Sequence, residues 1–212
     1  MYNNYIKRVI DILVSLMVAI TLLPIFIIIA VLIKIEDRGP IFYLGKRIGR
    51  DSKMFNMIKF RSMKVNAPDF RNADGSTYNS NKDPRVTRIG RFLRETSIDE
   101  LPQIFNVLKG DMSLLGPRAS TWDAIRSYKL DEVDKMKVRP GISGYTQAYY
   151  RNGLSVREKR LKDAWYANNI TLVLDVRIFF KTITTVLKRE GLYTNDNLPQ
   201  KALKSEGNTT HV

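Results

Sequence analysis

The segment Thr96-Ser97-Ile98-Asp99-Glu100-Leu101-Pro102-Gln103 sets two carboxylates side by side in a chain with few other groups for chemistry. There is no cysteine, which removes disulfides, thiolate metal sites and a thiol nucleophile, and the one histidine, His211, lies in a polar tail. Chemistry must therefore rest on carboxylates, hydroxyls, Lys or Arg. Two roles compete for the acids. Ser97 and Glu100 have the spacing of a capping box, and acids in a first helical turn complement the macrodipole by about 0.3–1 kcal/mol. Alternatively, an ionised carboxylate at the positive end of a helix stands where free N–H groups also favour a phosphate, which would make Asp99 a nucleophile beside a bound phosphate. Pro102 argues against the box: with Ser97 as cap its missing N–H lies beyond the orphan donors, and a helix starting at Asp99 or later suits it better.

Cations suited to an anionic ligand recur in short motifs: Lys59 and Arg61 in Ile58-Lys59-Phe60-Arg61-Ser62-Met63, Arg94 one turn before the acids, Arg118 in Gly116-Pro117-Arg118, and Arg139 in Val138-Arg139-Pro140-Gly141. Arginine binds phosphate bidentately, and the Pro and Gly neighbours fix the backbone around two of these residues. Each taken singly fits a solvated surface charge equally well. Asp99 and Glu100 beside phosphates would also accept Mg²⁺, which takes one or two carboxylates plus substrate oxygens. Lys plus Arg number 35 against 21 Asp plus Glu, a net charge of +14, so the partners are expected to be anionic: lipid headgroups, phosphates or nucleic acid.

Among the elements that must position these groups, the first is an apolar run. From Ile12 to Ile33 the chain has no charged side chain, with Pro24 near the middle. A helix of that length is about 33 Å long and matches the ~30 Å hydrocarbon core of a bilayer. Basic residues flank both ends, Lys7 and Arg8 before it and Lys34, Arg38, Lys46, Arg47 and Arg50 after it, so both ends favour the same face. A one-pass anchor with a tolerated proline and a re-entrant helix bent at Pro24 both remain open on these grounds. A cleaved signal peptide fits less well, because the run is too long for an h-region and no small-x-small site closes it.

Beyond the membrane segment, Ile41-Phe42-Tyr43-Leu44 and Met54 to Phe60 predict a small hairpin around Gly49-Arg50-Asp51-Ser52. Residues 66–84 read as a long polar loop. Helices are expected from Val86 to about Glu95, from near Asp99 to Gly110, over Ser120–Lys137, from Ser155 to about Asn169, and over Asp175–Glu190, the last with an apolar stripe. Gly141, Gly144 and the Tyr145–Tyr150 segment suit a tight connection better than a substrate pocket. The fold class is mainly α with a small β-hairpin (α+β). Its expected divisions are a membrane helix over 1–36, a domain over 37–195 and a polar, disordered tail over 196–212.

The motifs also occur in a telling order. Lys7-Arg8 with Asp11, the apolar segment with its central proline, Lys59-Phe60-Arg61-Ser62-Met63, Ser97 to Gln103, Phe105-Asn106-Val107-Leu108-Lys109-Gly110-Asp111-Met112-Ser113, Gly116-Pro117-Arg118 and Arg139-Pro140-Gly141-Ile142-Ser143-Gly144 together resemble the bacterial sugar transferases known as monotopic phosphoglycosyl transferases. The resemblance extends to about Gly191 and corresponds to the family's small catalytic core. It implies transfer of a sugar-1-phosphate from a UDP-sugar to a polyprenyl phosphate, usually undecaprenyl phosphate, with Mg²⁺ and release of UMP. It also implies a re-entrant helix-break-helix and an interfacial catalytic domain with amphipathic helices on the cytoplasmic face of the bacterial inner membrane, at the first membrane step of glycoconjugate assembly.

Carried over by motif, Asp99 is the nucleophile and a metal ligand, and Glu100 assists the acceptor phosphate or metal. Pro117 and Arg118 meet the nucleotide end, and Lys59, Arg61, Arg94 and Arg139 are substrate-binding candidates on the phosphate side. Nucleic acid is not an expected partner; association between copies stays open. Two positions depart from the family pattern. Ala119 stands where many relatives have a second proline, and Leu23-Pro24 replaces Ser-Pro at the membrane bend, with Thr21 as a nearby substitute hydroxyl. Readings from other classes are a membrane-anchored nucleic-acid-binding or scaffold protein, motivated by the Arg85/Arg88/Arg91/Arg94 series, and a glycosyltransferase that releases UDP.

Overall fold

The computed structural model describes residues 2–70, 78, 80, 82–150 and 153–188. A π-helical turn, Tyr2–Ile6, leads into α1, Lys7–Asp37, which is long and apolar enough to cross a membrane. Helix α1 runs through Pro24 without interruption, so the expected break does not appear as a gap in the helix. Pro24 still withholds the N–H that would reach the Ile20 carbonyl. Thr21 does not compensate, because its hydroxyl donates to Met17 O at 2.9 Å.

One face of α1 carries Val18, Ala19, Leu22, Phe26, Ile29 and Ile33 at helical spacing against Phe60, Leu93 and Ile104, while Leu13, Met17, Ile20, Ile27, Ile28 and Ile35 are exposed on the helix surface. Both ends of the helix are tied to the same body. At the start, Lys7 pairs with Asp175 at 2.5 Å, and Arg8 donates to Val107 O and Leu108 O at 2.7 and 3.1 Å. At the finish, Asp37 pairs with Arg61, and the Glu36 carboxylate accepts from the Arg88 and Ile89 N–H groups at 2.6 and 3.1 Å.

The expected hairpin forms. β1, Phe42–Ile48, pairs antiparallel with β2, Met54–Phe60, from Phe42↔Phe60 to Ile48↔Met54, so the first strand runs four residues past Leu44. Alternation puts Phe55, Met57 and Lys59 on one face of β2; Phe55 and Met57 pack on Val107 and Met112, and Lys59 extends that face toward the acids. α2, Arg88–Glu95, starts two residues later than expected because Thr87 is its cap, accepting from Gly90 N–H at 2.9 Å.

The expected helix from Asp99 to Gly110 is divided. A 3₁₀ turn, Ile98–Glu100, precedes α3, Gln103–Lys109, which ends at Gly110 in the left-handed region, φ 99°, with its N–H on Asn106 O and Val107 O. The predicted Ser120–Lys137 helix is a correction: it forms two 3₁₀ segments, Trp122–Ser127 and Val133–Lys137. Ser120 cannot serve as its cap, since its carbonyl accepts from Ile48 N–H at 3.0 Å and its hydroxyl meets Tyr128 OH at 2.6 Å. Glu132 is meanwhile turned inward to Arg157 and Arg160.

A second, parallel pair escaped the sequence patterns: β3, Ser113–Leu115, beside β4, Gly141–Ser143. It depends on close backbone approach. A Cβ on Gly144 would lie 1.9 Å from Gly116 O, which accounts for that glycine structurally. α4, Tyr145–Tyr149, follows; α5, Val156–Asn168, opens with the expected capping box of Ser155 and Glu158; α6, Leu172–Leu187, begins at a Thr171 cap ahead of the expected Asp175. Of the predicted 66–84 loop, residues 71–77, 79 and 81 lie outside the described residues, as do the polar tail and the end of the last predicted helix.

Helix α3 is joined to the hairpin by one side chain. Buried Asn106 accepts from Ile58 N–H at 2.8 Å and donates to Asn56 O at 2.8 Å, so its amide completes the outer edge of β2 as a neighbouring strand would. Asn106→Ala leaves both backbone groups without that partner and is expected to destabilise the protein by about 2–3 kcal/mol. Chemical denaturation of wild type and variant in the same detergent checks this, and an unchanged midpoint would refute it.

Candidate active site

Three elements bring charge to one place: the 3₁₀ turn before α3, the end of β2 and the end of α2. Ser97 enters the turn in the left-handed region, φ 58°, and its side chain makes no cap bond, so the capping-box role for Ser97 and Glu100 is not what these residues do. A non-glycine residue held there is strained, as is common beside functional groups. The Glu100 side chain is directed instead to the Lys59 ammonium. Asp99 is 9% exposed.

The pKa values of the two carboxylates are shifted in opposite directions. Burial pushes Asp99 up to about 6, with the Glu100 charge adding to it and Lys59, Arg94 and Arg118 opposing. Burial also works against ionised Glu100, but Lys59, then Arg118 and Arg47, outweigh it and hold that carboxyl down at about 2. Near neutrality Glu100 is a fixed anion, whereas Asp99 titrates close to the working range, as suits a nucleophile or a proton-exchanging group.

The positions of the other sequence candidates divide clearly. Lys59, Arg94 and Arg118 all act on Asp99, and Arg94 Nε donates to Ser62 Oγ at 2.9 Å. Pro117 is buried, and its carbonyl accepts from Gly141 N–H at 2.9 Å, while the Arg118 side chain is exposed. Arg61 is not brought to the acids: it is buried against Asp37 and donates to Pro40 O and Met63 O, securing the end of α1. Arg139 is at the other end of α3, donating to Gly110 O at 2.9 Å in a cleft with Arg8, Asp11 and Arg50; burial, then the Arg8 and Arg50 charges, lowers its pKa.

Arg47 belongs to the site although no sequence motif marks it. The hairpin register reveals it, because Arg47 lies opposite Phe55 and so shares the face that carries Lys59. The arginine series that suggested nucleic acid does not form one face, since Arg85 precedes α2 and is buried on Asp83 at 2.7 Å. Among the described residues no three His, Cys, Asp or Glu side chains form a group that could hold a metal by themselves.

The family model described as "Bacterial sugar transferase" matches residues 2–189. The chain belongs to the bacterial sugar transferase family. It is 40% identical over 203 residues to the undecaprenyl-phosphate galactose phosphotransferase of Salmonella typhimurium, covering 90% of this chain and 42% of that protein. Against the UDP-N-acetylgalactosamine-undecaprenyl-phosphate N-acetylgalactosaminephosphotransferase of Aeromonas hydrophila the identity is 41% over 193 residues, 88% of this chain and 45% of the relative. The exopolysaccharide production protein ExoY of Rhizobium meliloti is 35% identical, with 88% of each chain covered. The chain thus spans somewhat less than half the length of the first two relatives and most of the third.

The raised Asp99 pKa makes a stability prediction whose sign is fixed. A carboxyl with a folded pKa of about 6 against an ordinary 3.8 is neutral in both states at pH 3 and charged in both at pH 8, where its burial penalty is fully present. Asp99→Asn removes that penalty and is expected to stabilise the protein by about 1–3 kcal/mol at pH 8, with the gain fading as pH falls through 6 toward 3.8. Thermal unfolding at pH 4, 6 and 8 checks this; a variant less stable than wild type at pH 8 would overturn it.

Proposed function

We propose that the chain transfers a sugar-1-phosphate from a UDP-sugar to a polyprenyl phosphate, releasing UMP, through a covalent intermediate on Asp99. The observation that carries this reading is the buried Asp99 beside the Lys59–Glu100 pair, in the field of Arg94 and Arg118. Support for the acceptor comes from the names of the Salmonella and Aeromonas relatives, which specify undecaprenyl phosphate. The Aeromonas name also specifies a UDP-sugar.

In the first step an ionised Asp99 oxygen attacks the phosphorus that bears the sugar. The bond from that phosphorus to the bridging oxygen breaks, and UMP leaves with the electron pair. In the second step an oxygen of the acceptor phosphate attacks the same phosphorus, and the bond to Asp99 breaks. Dividing one displacement into two gives ping-pong kinetics. Lys59 and Arg94 offset negative charge as it gathers on the transferring group, Arg118 meets the nucleotide end of the donor, and Glu100 keeps the Lys59 ammonium at the site.

The donor set suits Mg²⁺ only as an ion that shares ligands with substrate phosphates, since Glu100 is committed to Lys59 and Asp99 is the carboxylate that remains. Such an ion would neutralise phosphate charge and hold Asp99 ionised.

The membrane reading follows from α1. Its outer surface is apolar and exposed, and both ends are tied to one body, which favours a re-entrant helix over a spanning one. The domain would then sit on the cytoplasmic face of the bacterial inner membrane, at an early step of polysaccharide assembly.

With Mg²⁺, a polyprenyl phosphate and a panel of UDP-sugars, purified protein is expected to release UMP rather than UDP. The kcat/KM for the UDP-sugar should rise with pH through about 6, the range in which Asp99 ionises in the free enzyme, before substrate brings Mg²⁺ to it. Asp99→Asn should release essentially none, and Lys59→Met should move the rise to higher pH; undiminished turnover in Asp99→Asn would remove the nucleophile. For topology, single cysteines replacing Asn3 and Ser52 should both react with an impermeant thiol reagent from the same side of oriented vesicles. Labelling from opposite sides would restore the spanning helix.

A further inference from the structure

The segment that carries Arg118 is held by its backbone from elements distant in sequence. Gly116 N–H donates to Ser143 O at 2.9 Å, and Pro117 O accepts from Gly141 N–H. At Arg118 both peptide groups end on one buried ion pair. Its N–H donates to Asp163 Oδ2 at 3.1 Å, its carbonyl accepts from Lys135 Nζ at 3.0 Å, and the two charged groups meet at 3.0 Å. Asp163, on α5, is 1% exposed, and Lys135, in the Val133–Lys137 turn, is 7% exposed. The other carboxylate oxygen accepts from Thr146 Oγ1 at 2.7 Å, so Asp163 cannot rotate away from Arg118 without losing that bond.

Stability alone gives a weak reason for this arrangement. Removing two charges from water costs several kcal/mol per ion, and an apolar pair of similar volume often packs as stably. An apolar pair could not, however, offer one residue an acceptor for its N–H and a donor for its carbonyl side by side. Ala119 imposes none of the restraint that a proline ring would place on the next peptide. Restraint at Arg118 therefore comes from Lys135 and Asp163, while its guanidinium stays exposed.

We infer that Lys135 and Asp163 are positioning residues for donor binding: they fix the Arg118 peptide so that its side chain is presented to the phosphates at the nucleotide end of the UDP-sugar. The inference rests on the transferase reading above. Neither residue is assigned a contact with the donor. Their effect passes through Arg118, and it should appear in donor affinity rather than in acceptor affinity.

The test uses full-length protein in lipid nanodiscs and two measurements. Without substrate, amide hydrogen exchange over residues 116–120 should accelerate about tenfold or more in Asp163→Ala and Lys135→Met, and stay near wild type in Asp163→Asn, whose carbonyl can still accept from Arg118. With substrates, the KM for the UDP-sugar should rise about tenfold or more in Asp163→Ala, with little change in kcat or in the KM for polyprenyl phosphate, and Asp163→Asn should restore most of it. Exchange unchanged in Asp163→Ala overturns the inference. So does faster exchange with an unchanged donor KM, or a uniform loss of activity that follows the folded fraction. Should the charge left by a single change unfold the protein, Lys135→Met combined with Asp163→Leu removes both charges and is read the same way. If wild type releases no UMP from any UDP-sugar, the transferase reading and donor positioning fail together, while the exchange result still decides whether the pair orders the segment.

Discussion

The constraint on which this site depends is the burial of an ionisable carboxylate between charges of both signs. Asp99 alone in a dry setting would be neutral, and Asp99 beside unopposed cations would be an ordinary low-pKa anion. Lys59 prevents the first outcome; burial prevents the second, with Glu100 adding to it because the anion that binds Lys59 also repels charge on its neighbour. The surrounding elements serve that balance. The hairpin brings Lys59 to the turn, Asn106 fastens the helix after the turn to the hairpin, and α2 brings Arg94.

The fold was legible in the sequence wherever the period of apolar residues and the local turn chemistry agreed. The long apolar helix, the hairpin around Gly49–Ser52 and the α5 capping box follow from such signals. Legibility failed where a tertiary partner took the group that a local motif would have used. Ser120 has cap spacing, yet its hydroxyl goes to Tyr128 and its carbonyl to the hairpin. Ser97 and Glu100 have box spacing, yet Glu100 goes to Lys59. The parallel β3–β4 pair is three residues per strand, too short for any pattern, and its signal was the glycines that permit the approach.

The site divides in the same manner. Asp99, Glu100, Lys59 and Arg118 lie in motifs whose order is distinctive, Arg94 stands one turn before the acids, and all five converge on one electrostatic environment. Arg61 and Arg139 lie in motifs equally distinctive but hold the frame: Arg61 fastens the end of α1, and Arg139 meets the carbonyl end of α3. Proximity of motifs in sequence cannot separate these roles, because an arginine that fixes a backbone and one that meets a ligand look alike until their partners are known. Arg47 illustrates the reverse case, reaching Glu100 through strand register from a position with no motif.

The buried carboxylate of Asp175 has a further consequence, for the order in which the chain can be assembled. It accepts from Tyr2 OH at 2.7 Å, Lys7 Nζ at 2.5 Å and Tyr166 OH at 2.6 Å, joining the first turn to the last described helix. Lys7 and Asp175 are 168 residues apart, so at about 5–20 residues per second the start of the chain waits roughly 8–34 s on the ribosome for its partner. Arg8 meets the carbonyls of Val107 and Leu108 sooner, since they lie 99 and 100 residues away. The apolar face that α1 later turns to the core is uncovered until Phe60, Leu93 and Ile104 have been made, and Lys7 stays unpaired until Asp175 follows. A nascent chain in that state has strong reason to meet a lipid surface before it is complete, and docking of α6 would be among the last events of folding.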